Sequence, residues 1–133
     1  MSPRVGLLAD QCAAILVAAV FLVVGIAGAA VYDGRLLGAF ATSLWLSLIH
    51  ITFGIAGLVM SRSFHAARLY LFGGGLLCLG LWLFGSLTGP GVLRLNGADN
   101  WLHFGIGVAM LIFGLTLAGT RVPRGARGEP LLP

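Results

Sequence analysis

The sequence predicts an all-α membrane protein, a four-helix antiparallel transmembrane bundle, and two observations carry that prediction. The chain of 133 residues is 59% hydrophobic and only 9% charged, with a mean hydropathy of +1.02; soluble domains carry about 25% charged residues. Its apolar residues also fall into four long stretches separated by short polar segments. Each stretch is long enough to cross ~30 Å of hydrocarbon as a helix, and the length fits one polytopic domain.

The four predicted spans cover residues 12–31, 36–60, 69–87 and 101–120. Residues 27–29 offer a small-residue cleavage site after the first apolar run. That run is longer than the ~7–15 apolar residues of a secretory signal, so we interpret it as a retained helix. Asp33-Gly34 marks the turn before the second span, and Pro90 with its flanking glycines ends the third.

The arginines predict the orientation, since the chain contains no lysine. With the N-terminus inside, the cytoplasmic segments hold Arg4, Arg62, Arg68, Arg121, Arg124 and Arg127, and the outer turns hold Arg35 and Arg94. The positive-inside rule therefore places both termini in the cytoplasm, and residues 121–133 read as a disordered basic tail. Because the arginines lie between hydrophobic runs, they do not predict nucleic-acid binding.

Cys12 and Cys78 are expected at different depths in two parallel-running spans. A disulfide requires Cα atoms within about 7 Å of each other. We therefore predict two unpaired thiols.

Residues 96–103 concentrate polar side chains where the fourth span begins. Asp99 lies four residues before His103, so the carboxylate and the imidazole share one helix face and the carboxylate can orient the imidazole tautomer. The same residues suit a helix start, because Asn96 or Asp99 can cap exposed backbone N–H groups while Trp101 anchors the outer leaflet. We interpret the segment as a cap that orients an interhelical histidine, with ligand binding open and catalysis not expected.

His50 lies near the middle of the second span, where an ionisable side chain is rare and normally points inward. It suits a haem or metal ligand, a proton relay, or a neutral histidine hydrogen-bonded across a helix interface. For a haem pair, His50 and His103 must lie at similar depth. Counted from the cytoplasmic Arg62 and Arg121, their depths differ by roughly 9 Å. A zinc site needs further ligands, and His65 is expected on the opposite membrane face. We therefore predict no cofactor and no metal ion, with haem as an alternative.

The surroundings of His50 recur 53 residues later around His103. In both copies a polar residue, Ser47 or Asn100, precedes the histidine by three and a glycine follows it by four. This pattern predicts a parallel repeat of two helical hairpins, unless the short match is coincidental. Small or polar residues also step by four and three along the second and fourth helices, and such faces suit close helix packing inside a bundle.

Three stretches resemble a family of small four-helix bacterial inner-membrane proteins of unknown function that is common in actinobacteria. They are His50-x-x-x-Gly54-x-x-Gly57, Arg68-x-Tyr70-x-x-x-Gly74 and Asn96-x-x-Asp99-Asn100-x-x-His103. The resemblance implies four spans, an inner-membrane location and importance for the last stretch. It implies no activity.

Three functions follow as hypotheses. The first is a non-enzymatic accessory or scaffold subunit in the lipid bilayer, associating with another membrane protein or with itself through its small-residue faces. The second is a haem-, quinone- or lipid-binding protein with a site at His50 and His103, between the second and fourth helices. The third is a subunit of an oligomeric transporter or channel. The candidate polar cluster comprises Ser47, Asn96, Asp99, Asn100 and His103.

Overall fold

The computed structural model describes residues 9–31, 34–88, 96–117, 124 and 126–129. These residues form four helices, and the all-α bundle is confirmed. The helices are α1 (Ala9–Ala30), α2 (Leu44–Met60), α3 (Phe64–Thr88) and α4 (Gly97–Thr116). Two two-residue strands, β1 (Arg35–Leu36) and β2 (Phe40–Ala41), pair antiparallel between α1 and α2. Most of the tail and the loop that follows α3 lie outside the described residues.

Helix α2 begins at Leu44 and not at residue 36, where the predicted second span begins. The turn between the strands places Leu37 and Gly38 at positive φ, 54° and 72°, which no helix accommodates. Ser43 then caps α2, with its hydroxyl accepting from the backbone N–H of Leu46 at 3.2 Å. At 17 residues, α2 is at the short end of the ~17–25 residues that span a bilayer, whereas α1, α3 and α4 are long and apolar enough to cross one.

Helix α3 begins at Phe64, five residues before the third span predicted from residue 69, so Arg68 lies within the helix. Ser63 accepts from the backbone N–H of Ala66 at 3.2 Å and so caps the first turn. The guanidinium of Arg68 lies 5.5 Å from the centre of the Phe72 ring. A charged side chain in the first turns of a spanning helix is tolerated when its stem and head find such partners.

The bundle consists of two tightly packed helix pairs, which we call the first hairpin (α1 and α2) and the second hairpin (α3 and α4). A Cβ on Gly54 would lie 2.9 Å from the carbonyl oxygen of Ala18, and one on Gly107 would lie 3.0 Å from that of Gly75. Only glycine permits backbones to approach this closely. Between hairpins, α1 touches α3 and α4, and α2 touches α3, but no Cα atom of α2 lies within 8 Å of one in α4.

The core runs between α1 and α3 and takes one large side chain from α4. Its buried members are Ala13, Ala14, Val17, Phe21, Ala67, Tyr70, Leu71, Cys78 and Met110. Large apolar side chains, including Val23, Trp45, Leu87 and Leu115, are exposed on the outward faces of all four helices, a composition that suits contact with lipid. Both cysteines are free, Cys12 exposed and Cys78 buried, as predicted.

Candidate functional site

The site is organised around His50 and His103, whose rings meet between the two hairpins. Their ring centroids are 6.2 Å apart and their planes are inclined by 32°, while the residues are only 9% and 6% exposed. The depth offset expected from the sequence is therefore wrong. Helix α2 ends at Met60, two residues before Arg62, whereas α4 ends at Thr116, five residues before Arg121, so the two arginines do not mark equal depths.

Each histidine is fixed by the backbone of its own helix. The Nδ1 of His50 lies 2.7 Å from the carbonyl oxygen of Leu46, and the Nδ1 of His103 lies 2.8 Å from that of Asp99. Because a carbonyl oxygen only accepts, Nδ1 must carry the proton in both rings. In the neutral form, each Nε2 then presents a lone pair, and neither Nε2 has a hydrogen-bond partner among the described residues. Of the alternatives for His50, the hydrogen bond across a helix interface is not the one formed by Nδ1, which bonds within α2.

Both rings line a cavity of about 200 Å³ whose walls are apolar. Its other lining residues are Phe21, Leu46, Ile49, Phe53, Leu77, Cys78 and Leu81. An apolar cavity of about 150 Å³ can accept benzene, so this one accepts a single substituted ring. Sites for larger ligands have volumes of about 300–1,000 Å³, and a haem macrocycle does not fit here.

Two lining residues of the cavity, one on α2 and one on α3, reach the surface of the bundle. These are Ile49 and Leu77, which are 52% and 53% exposed on the outer surface of the bundle. A molecule at the cavity mouth would therefore contact the medium that surrounds the helices. If that medium is lipid, access is from the bilayer.

Phe21 supports the first histidine. Its ring stacks on His50 with centroids 5.7 Å apart and an interplanar angle of 29°, and it meets Phe53 edge-on at 4.8 Å. Sequence reasoning missed both Phe21 and Cys78 as site residues. The hairpin repeat was the available signal, because Phe21 and Cys78 occupy corresponding positions in α1 and α3.

Asn96 and Asp99 form the predicted helix cap. The Oδ1 of Asn96 accepts from the backbone N–H of Asp99 at 2.9 Å, and the Oδ2 of Asp99 accepts from that of Asn96 at 3.0 Å, which is a reciprocal capping box. In addition, the Nδ2 of Asn96 donates to the carbonyl oxygen of Ala39 at 2.6 Å. The cap thus ties the start of α4 to the loop of the first hairpin.

The predicted polar cluster is only partly brought together. Ser47 and Asp99 share with the two histidines a second space of about 20 Å³, roughly the size that one water molecule needs. Asn100 instead turns to α3, where its Nδ2 donates to the Ser86 hydroxyl at 2.8 Å.

Contacts repeat between the hairpins well beyond the short sequence match. The 53-residue offset relates the N-caps Ser43 and Asn96, and a 57-residue offset relates α1 to α3. A Cβ on Gly28 would meet Ser47 Oγ at 2.8 Å, and one on Gly85 would meet Asn100 Oδ1 at 2.5 Å. The close contacts of Gly54 with Ala18 and of Gly107 with Gly75 are related by the same offsets, 53 residues for the first glycines and 57 residues for their partners. The histidines therefore occupy equivalent places in two similar hairpins.

Comparison with known protein families places the chain in one of them. A family model described as a domain of unknown function, DUF4383, matches residues 11–116. The chain belongs to the DUF4383 family. The DUF4383 match includes both histidines and nearly all of the four helices, and it confirms the expected membership of a family of unknown function. No curated protein and no solved structure matches the chain.

Sequence reasoning also missed buried polar side chains at the end of the DUF4383 bundle where α1 begins and α2 ends. Asp10 is 0% exposed, and its carboxylate oxygens have no hydrogen-bond partner among the described residues. Beside it, the Nε2 of Gln11 donates to the carbonyl oxygen of Ser61 at 3.0 Å, linking the ends of α1 and α2. Among the described residues, no group of three or more His, Cys, Asp and Glu side chains could hold a metal ion.

Proposed function

We propose that this DUF4383 protein binds a small lipid-soluble molecule in the cavity between its hairpins. One observation carries the proposal. An apolar cavity large enough for one ring lies where α2 and α4 stand apart, and two buried imidazoles are among its lining residues. Ligand sites are typically apolar with a few convergent polar groups, and this cavity has that composition.

The position of the mouth supports entry from the bilayer. Three helices are long and apolar enough to span a membrane, and the lining residues Ile49 and Leu77 are exposed on the outward surface of the bundle. A ligand dissolved in lipid would insert its ring between α2 and α3 and leave an apolar tail outside. The proposed setting is a bacterial inner membrane, and the distribution of arginines supports a cytoplasmic position for both termini.

The packing of the small-residue faces favours this proposal over a scaffold that associates through them. Those faces are occupied within the chain. A Cβ on Gly57 would lie 2.5 Å from Tyr70 Cζ, and one on Gly114 would lie 3.3 Å from the Phe72 ring. A partner helix could not use the same glycines without displacing these contacts.

The thiol of Cys78 provides a direct test, because it lies in the cavity wall. In a Cys12→Ser variant Cys78 is the remaining thiol, and its modification by N-ethylmaleimide can be timed in detergent or lipid nanodiscs. We expect butylbenzene and 4-butylphenol to slow the modification, because an occupied cavity excludes the reagent.

A matched control separates occupancy from a general effect of the probes on the reagent. Cysteine placed at the exposed Ile112 of α4, in a background without Cys12 and Cys78, should react at the same rate with and without probe. Equal slowing of both thiols, or no slowing of Cys78, would refute the proposal.

A further inference from the structure

We propose that the ligand carries an aromatic head with two adjacent hydroxyl groups, which donate to His50 and His103. The inference rests on the proposed function and names the chemical class that the same cavity selects. It follows from the hydrogen-bond roles of the two rings, from their separation and from the cavity volume.

The roles of the rings are fixed by their own helices. Both Nδ1 atoms donate to backbone carbonyl oxygens, those of Leu46 and Asp99, so a neutral ring offers the ligand only the Nε2 lone pair. The site therefore accepts hydrogen bonds and needs a donor. A ligand carbonyl would set one acceptor against another, whereas a hydroxyl pairs with the imidazole and avoids leaving a buried polar atom unsatisfied.

A ligand that bonds to the Nε2 atoms of both histidines needs two hydrogen-bond donors. One hydroxyl has one proton and can serve one imidazole. The ring centroids are 6.2 Å apart, and each hydrogen bond spans about 3 Å between heavy atoms, so hydroxyls on neighbouring ring carbons can reach both histidines. The oxidised form of such a head has two carbonyl groups in their place, so the site should prefer the reduced, dihydroxy form.

The volume and the walls restrict the rest of the ligand. A cavity of about 200 Å³ accepts one substituted ring, since about 150 Å³ suffices for benzene. Phe21 and Phe53 lie beside His50 and offer aromatic faces to such a ring. The exposed mouth leaves room for an alkyl or prenyl tail in the surrounding lipid.

The test uses four probes that share a butyl tail and differ in their donors. They are 4-butylcatechol, 4-butylphenol, 4-butylanisole and butylbenzene, applied under nitrogen with a chelator so that neither catechol oxidation nor metal chelation contributes. The readout is the concentration that half-protects Cys78 in the Cys12→Ser protein. We expect about fivefold tighter protection for each added hydroxyl, with anisole no better than butylbenzene.

Variants of the histidines assign the effect. His50→Leu and His103→Leu should each reduce the ratio between catechol and butylbenzene affinities by about fivefold. If either variant fails to fold, the probe series on the wild-type histidines decides alone. Equal protection by all four probes would overturn the inference and leave the proposed function standing, whereas a lack of protection by every probe would refute the proposed function itself.

Discussion

The two hairpins place their histidines alike but surround them differently. In each, the imidazole bonds to the carbonyl four residues earlier, and a glycine four residues later forms the backbone crossing. Around these shared features the residues diverge. His50 stacks on Phe21, where the second hairpin has Cys78, and the residue at the third position of α4 is Asp99, where α2 has Leu46.

The repeated and the unrepeated residues of the two hairpins have different roles. The repeated residues are mostly glycines, caps and backbone acceptors, and they set the height and direction of each imidazole. The unrepeated residues decide what lies beside it, apolar in the first hairpin and partly polar in the second. The site therefore has two equivalent acceptors in unequal surroundings.

The largest expected loss of stability comes from substitutions at the two backbone crossings that the hairpins share. Gly54→Ala and Gly107→Ala should each lower the free energy of unfolding by about 1–3 kcal/mol, because the new methyl group meets a backbone carbonyl oxygen at 2.9 or 3.0 Å. Thermal unfolding in detergent measures it. Gly105→Ala is the control, since a Cβ there meets nothing within 4 Å, and it should be neutral or stabilise by up to about 1 kcal/mol. Loss of stability in only one of the two crossing variants would break the equivalence of the hairpins.

The caps give an intermediate effect that should differ between hairpins. Asn96→Ala should cost about 1–2 kcal/mol and Ser43→Ala about 0.5–1 kcal/mol. Asn96 loses a reciprocal capping box and its bond to Ala39, whereas Ser43 loses one bond to the N–H of Leu46. Chemical unfolding of the two variants provides the measurement, and equal losses would show that the tie to Ala39 contributes nothing.

The smallest effect concerns the polar residues that precede the histidines. Gly28→Ala and Gly85→Ala should each cost about 1 kcal/mol or less, because the new methyl group meets the movable side-chain ends of Ser47 and Asn100. Ser47→Ala should restore part of the loss in Gly28→Ala, with a coupling of at least about 0.5 kcal/mol in a double-mutant cycle. Gly80→Ala, which has open space, is the control. Strict additivity of the pair would contradict the contact.

Local chemistry in the sequence predicted much of the fold and the cap. Apolar length predicted four helices, and the spacing of Asn96 and Asp99 predicted the capping of α4. The prediction failed for one local feature, the start of α2, and for one non-local feature, the meeting of the two histidines. The start of α2 depends on a turn with two residues at positive φ, which the apolar run from residue 36 conceals.

The meeting of the histidines depends on where each helix ends and how the hairpins dock. Arginine positions do not encode either. The contribution of Phe21 required knowing which helix packs on which, since it lies 29 residues from His50 in the chain and reaches it only through the crossing of α1 with α2.

The separation of α2 from α4 has a consequence for the order of folding. Each hairpin joins helices that are neighbours in sequence, and contacts between near neighbours close at the lowest entropic cost. The hairpins can therefore form first and dock afterwards. Neither contains the cavity by itself, because His50 and Phe21 come from one and His103 and Cys78 from the other. The binding site is then among the last features to appear, and a ligand seated in it would hold the two halves of the chain together.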